Sequence, residues 1–97
     1  MIYYFKYYPR NFANEYSILA VREENINDFR KSFYADCLDD TSKDIDEIDR
    51  AKALQCIHLL RGDHLKISSG TWTKDQGLIP AQYLNPTDLD ELFSIRG

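Results

Sequence analysis

Thr41-Ser42-Lys43-Asp44-Ile45-Asp46-Glu47-Ile48-Asp49, running on into Arg50-Ala51-Lys52-Ala53-Leu54, is the stretch on which the fold turns. Read with a period of 3.6, it opens a helix. Thr41 or Ser42 supplies a capping hydroxyl, Ile45 and Ile48 share one side, and acids near the start suit the positive end of the helix dipole. The same helix continues through Ala53, Leu54, Cys56, Ile57, Leu59 and Leu60 to Arg61, with Gly62 just beyond it as a left-handed cap. Its second half is apolar over more than half its circumference and its first half is not. The first half is therefore expected in solvent and the second half buried.

Upstream, Ile26, Phe29, Phe33 and Cys37 recur at spacings of three and four, the stripe of an amphipathic helix. Asn25 caps it, Asn27, Arg30, Lys31 and Asp36 form its polar face, and it ends near Leu38. Before it, residues 2 to 8 are strand-forming aromatics, and residues 15 to 22 hold Ile18, Leu19, Ala20 and Val21 side by side. That second strand is apolar on both faces, so it should be central, paired with the first as a hairpin across the Pro9, Asn11 and Asn14 loop. Downstream, Leu65 to Ser69 alternates as a third strand, and Thr71-Trp72-Thr73 reads as a short fourth. Asp75-Gln76-Gly77 is a turn, and Pro80 to Leu84 a helical turn. Thr87 caps a last helix from Asp88 to Ile95. The order is β-β-α-α-β-(β)-α. The expected fold is α+β: an antiparallel sheet of three to four strands with two main helices and a short C-terminal helix, packed mainly on one face.

Ninety-seven residues make one domain, 1–97, and 43% hydrophobic with 29% charged residues is the composition of a chain with a core. No apolar run approaches the ~20 residues of a membrane span. Met1 to Lys6 reads as a strand and not as a signal peptide. Two cysteines, Cys37 and Cys56, are too few for a disulfide framework. Both are expected as reduced thiols in the cytoplasm, with a bridge between the two helices left open.

The charge is concentrated. Residues 36 to 49 hold Asp36, Asp39, Asp40, Asp44, Asp46, Glu47 and Asp49 against Lys43, a local charge of -6 in a chain of net charge -4. A charge run of this kind is usually a solvated face; the helix dipole alone accounts for Asp44, Asp46 and Glu47 but not for Asp36, Asp39 and Asp40. Clustered at a turn, these carboxylates can steer toward a basic partner. The glycine of a calcium loop is missing.

Catalytic and metal-binding constellations fare poorly. Cys56 and His58 would point to different sides of a helix, and His64 would start a strand, so no three ligands converge on zinc. Cys37 lies beside acids that raise a thiol pKa, and no serine elbow or phosphate-cradling glycine loop is present. The chain is expected not to be an enzyme and to need no cofactor. The aromatic first strand could stack bases, but Lys6, Arg10 and Arg22 give it little basic field, so core packing and protein contact through Tyr4 and Tyr8 fit it better. Arg61-Gly62-Asp63 is explained by the helix-ending role of Gly62.

With its acidic cluster Asp36 to Asp49 and its tyrosine-rich strand Tyr3 to Tyr8, the chain resembles in type the small phage-encoded anti-CRISPR proteins. Several of these occupy the DNA-binding groove of a CRISPR surveillance complex with acidic side chains. The resemblance implies an inhibitor of a basic, nucleic-acid-handling protein in the cytoplasm of a bacterial host, acting by partial DNA mimicry. Its contacts would come from Asp36, Asp39, Asp40, Asp44, Asp46, Glu47 and Asp49, with Tyr4 and Tyr8. The alternatives are an immunity or antitoxin-type protein that neutralises a toxin, and a small regulatory subunit.

Overall fold

A computed structural model describes residues 1–9, 16–40, 43–60 and 63–93. Strands β1 (Ile2–Pro9) and β2 (Ser17–Arg22) pair antiparallel, with Ile2 opposite Arg22 and Tyr7 opposite Ser17. Ile18 through Val21 are all buried, because β2 is the middle strand and is covered on both faces. Strand β3 (Lys43–Ile48) pairs antiparallel with the other side of β1. Strand β4 (Gly70–Thr73) runs parallel to β2, and β5 (Gly77–Pro80) returns antiparallel beside it. The fold is α+β, and its sheet has five strands in the order β3-β1-β2-β4-β5. It is mixed, not wholly antiparallel, and has one or two strands more than the sequence suggested.

The largest departure is Lys43–Ile48, expected as the solvated start of a long helix and found as an edge strand. Ile45 and Ile48 are three residues apart. That spacing shares a side on a helix and takes opposite faces on a strand. Ile45 packs among Phe5, Phe29 and Cys37 on one face, and Ile48 packs beside Tyr4 and Ala53 on the other. Each face of the sheet thus gains one residue, which a helix here could not supply. Helix α3 begins only at Arg50 and runs Arg50–Leu59. Its cap is Asp49, whose carboxylate accepts a bond from the Lys52 N–H at 2.8 Å. Thr41, Ser42 and Gly62, the caps read from the sequence, lie outside the described residues, as do Asn11, Asn14 and Ile95.

Helices cover both faces, where one was expected. On one face lies a continuous rod, residues 23–39. It comprises α1 (Glu23–Phe29), a π-helical turn (Arg30–Tyr34) and α2 (Ala35–Asp39). It starts two residues before Asn25, whose side chain instead accepts a bond from the Lys74 N–H at 3.2 Å. The widened turn lets Phe33 and Tyr34, neighbours in sequence, both reach the sheet, against Tyr7 and Phe5 with ring centroids 5.5 Å apart in each case. Phe29 sits between Phe5 at 4.7 Å and Trp72 at 5.7 Å.

The opposite face carries α3, α4 (Asp63–Ser68) and α5 (Pro86–Phe93), which bury Ala53, Ile57, Leu65, Leu89, Leu92 and Phe93 against Tyr4, Ile18 and Ala20. Residues 65 to 68 are helical, not the third strand their alternation suggested. Leu65 is buried, and Ile67, the apolar residue two positions on, is left 70% exposed. Ala81–Tyr83 forms the short helical turn after Pro80. The cap of α5 is Asn85, which accepts from the Asp88 N–H at 2.8 Å, with Pro86 at the first helical position; Thr87 is already inside the helix.

The parallel junction of β2 and β4 is narrow, with Leu19 opposite Gly70. Two hydroxyls extend it on either side. Ser69 Oγ accepts from the Ile18 N–H at 3.3 Å, and Thr71 Oγ1 donates to the Ala20 carbonyl at 2.5 Å. Both residues are buried, and each hydroxyl satisfies a backbone group where the ladder stops.

Candidate functional site

The seven acids do not form one cluster on a helix. They are distributed along the end of α2, the following residue, the β3 edge and the cap of α3. Asp36 and Asp39 project from α2 and are exposed. Asp40 ends the rod and pairs with Lys43 at 3.6 Å. On β3 the acids alternate by strand geometry. Asp44 and Asp46 share the face that carries α3, and Glu47 takes the other face with Ile45. Glu47 is held by Arg30 at 2.6 Å, and the Arg30 guanidinium also lies over the rings of Tyr3 at 5.5 Å and Phe5 at 5.7 Å. The carboxylate beside it holds the Arg30 pKa above its ordinary value. Asp49 is committed to its capping bond.

Asp44 and Asp46 lie along the exposed edge, about 6.7 Å apart on one face by strand rise. Opposite them on β1, in register, stand Tyr8 and Lys6. The Lys6 ammonium lies over the Tyr16 ring at 4.4 Å and the Tyr8 ring at 5.4 Å, and the two rings are 6.1 Å apart. A hydrogen bond to Tyr8 raises the Lys6 pKa, so the group stays cationic. The Tyr16 hydroxyl donates to the Cys56 carbonyl at 3.3 Å and ties this stack to α3. Tyr8 thus stands in register with Asp44 on the neighbouring strand. Lys6 and Tyr16 were missed as members of the site. The alternation Tyr4-Lys6-Tyr8 held the clue, since it sets all three on one face of β1.

Tyr4 is not a surface residue. It is 1% exposed, and its hydroxyl donates to the Leu92 carbonyl at 2.9 Å and accepts from Arg50 at 3.2 Å. Burial pushes its pKa up, with Arg50 opposing. It is a core residue pinning α5 to the sheet and is withdrawn from the contact surface.

The two cysteines lie on opposite sides of the sheet, Cys37 against Phe29 and Ile45, Cys56 against Ala53 and Ile57, both free and buried. The sheet between them excludes the bridge that the sequence had left open. Burial raises the Cys37 thiol pKa, helped by Asp36 and Asp40 and opposed by Lys43. That direction disfavours a thiolate nucleophile. Among the described residues, no group of three or more His, Cys, Asp or Glu side chains is placed to hold a metal, and no helix is long and apolar enough to cross a membrane.

Two shallow depressions lie elsewhere. One is lined by Met1, Ile2, Arg22, Glu24, Arg50 and Glu91, with Arg22 bridging Asp88 at 3.0 Å and Glu91. The other runs along α3 past Leu54, Gln55, His58 and Leu59. Comparison of the chain with protein families, with curated proteins and with solved structures found no match to any of them.

Proposed function

We propose that this chain is a binding protein without a catalytic role, and that its acidic edge meets a basic, nucleic-acid-handling protein and inhibits it by occupying the groove where nucleic acid would lie. The observation that carries this reading is the regular edge of β3, where exposed Asp44 and Asp46 repeat on the face that carries α3, while Asp36 and Asp39 are exposed on α2, which packs over the opposite face. Carboxylates repeated along a strand create a field that steers a basic groove from a distance. The resemblance to anti-CRISPR proteins names the particular partner, a CRISPR surveillance complex in the bacterial cytoplasm, with partial mimicry of DNA. Net charge of -4 is mild for a full duplex mimic, so the aromatic and cationic stack of Tyr8, Tyr16 and Lys6 is the other part of the contact.

The test is affinity capture from a bacterial lysate with the immobilised chain and with a variant carrying Asp39→Lys, Asp44→Lys and Asp46→Lys. The expected result is a nucleic-acid-handling protein retained by the parent at low salt. It should be released by about 1 M salt, where the screening length falls to ~3 Å, and not retained by the variant. The same proteins on both columns, or a toxin on the parent column, would overturn the reading.

A further inference from the structure

β3 is the edge strand of the sheet, and its side chains decide what can use that edge. All six residues pair with β1 in unbroken register, from Pro9 opposite Lys43 to Tyr4 opposite Ile48. No bulge interrupts the strand, and it holds no proline or glycine. It ends the strand order, and among the described residues no second strand pairs with it. In an antiparallel strand every second residue turns its N–H and C=O away from its partner; on β3 the Lys43 N–H is taken by the Asp40 carbonyl at 3.1 Å, and the outward groups of the residues beyond it form the row an added strand would use.

Natural edges are blunted by proline, by bulges, by covering elements or by charge. Here the blunting is by charge, with exposed Asp44, Asp46 and Glu47 against Lys43. A second copy of β3 laid antiparallel on the first would set carboxylates opposite or diagonal to carboxylates, which is unfavourable. The same row favours a strand with lysine or arginine at every second position, which would face Asp44 and Asp46 on the side shared with Lys6 and Tyr8. Rejection of itself and acceptance of its charge complement are two results of one pattern.

We propose that β3 is a docking edge for an extended, basic segment of a protein partner, which adds to the sheet as a sixth strand beside β3. The proposal rests on the reading of the acidic edge as a partner surface and gives that surface its mode of contact. Backbone bonds set the register, and the carboxylates select the sequence.

The probe is a capped synthetic peptide, Thr-Lys-Val-Lys-Val-Lys-Thr, with two N-methylated versions, one modified at odd and one at even residues. Both keep the charge and lose alternate amide protons. Binding and amide exchange are read by NMR on the parent and on Asp44→Lys/Asp46→Lys, whose folding is checked by circular dichroism. The expected result is slowed exchange at amides within residues 44 to 47. One N-methylated version should bind at least tenfold more weakly than the other, and the charge-reversed chain should not bind. Equal binding by all three peptides, or protection away from β3, overturns strand addition and leaves the acidic-surface reading intact. Absence of binding by every peptide overturns the docking edge, and the lysate capture then decides the acidic surface independently.

Discussion

Gly70 lies where the sheet is tightest, opposite Leu19 on one side and Pro80 on the other. A Cβ placed there falls well inside contact distance of the Ile79 carbonyl oxygen, 3.1 Å from the Ile79 carbonyl carbon and 3.2 Å from the Pro80 Cα. All three atoms are backbone, so no rotamer change relieves the clash and β5 must shift. Overpacking of this kind costs ~1–3 kcal/mol. At 4–8 °C per kcal/mol for a domain of this size, Gly70→Ala should lower Tm by roughly 5–20 °C. The assay is thermal and urea unfolding followed by circular dichroism. Gly77→Ala is the comparison. Gly77 has φ 71° with nothing within 4 Å of a built Cβ, so it carries only left-handed strain of ~1–2 kcal/mol. A Gly70→Ala protein within about 0.5 kcal/mol of the parent, inside the usual range for a harmless surface change, would refute the close approach of β5 to β4.

Asp49→Ala should cost ~1 kcal/mol in urea unfolding through loss of the α3 cap, and Asp49→Asn should cost much less. Tyr4→Phe removes the hydroxyl between Leu92 and Arg50 and should cost ~1–2 kcal/mol, read by the same melts. Burial raises the pKa of Tyr4, Tyr7 and Tyr16 above the ordinary 10.0 and that of Cys37 above 9.0. The folded chain therefore holds these protons more tightly than the unfolded one. The associated stability is complete below the ordinary values and is lost as pH climbs above 9.0 and then above 10.0, through the raised folded values, so Tm measured against pH should fall on the alkaline side. A flat profile there would count against the burial of these groups. Both thiols should resist a bulky disulfide reagent until the chain unfolds, and oxidation of the folded protein should yield no internal Cys37–Cys56 bridge by mass spectrometry.

Much of the fold was legible because several elements carry redundant signals. The run Ile18 to Val21 marks β2 as central, and the stripe Ile26, Phe29, Phe33 identifies the helical rod. Gly77 and Asn85-Pro86 punctuate the chain where the structure turns. Lys43–Ile48 misled because two apolar residues at a spacing of three suit a helix with one buried side and a strand with two. Only the second, unseen layer of helices decides between them. Leu65 and Ile67 misled for the converse reason. They alternate like a strand, but one of them is simply left in solvent. The acids were found as a segment, but their partition was not legible. Whether a carboxylate caps a helix or bridges a cation depends on Arg30, Lys43 and Lys52, which the sequence does not place beside them.

The narrow junction between β2 and β4 has a further consequence. It divides the sheet into a three-stranded antiparallel ribbon and a two-stranded one, fastened by one backbone register position and two hydroxyls. The sole tryptophan, Trp72, lies on β4 and is 8% exposed, edge-on to Phe29 across that line. Its fluorescence is thus a gauge of how firmly the β4-β5 ribbon is fastened, where circular dichroism averages over the chain. If the ribbon peels away before the rest melts, the tryptophan signal will move first, and Ser69→Ala or Thr71→Val will widen the gap between the two curves.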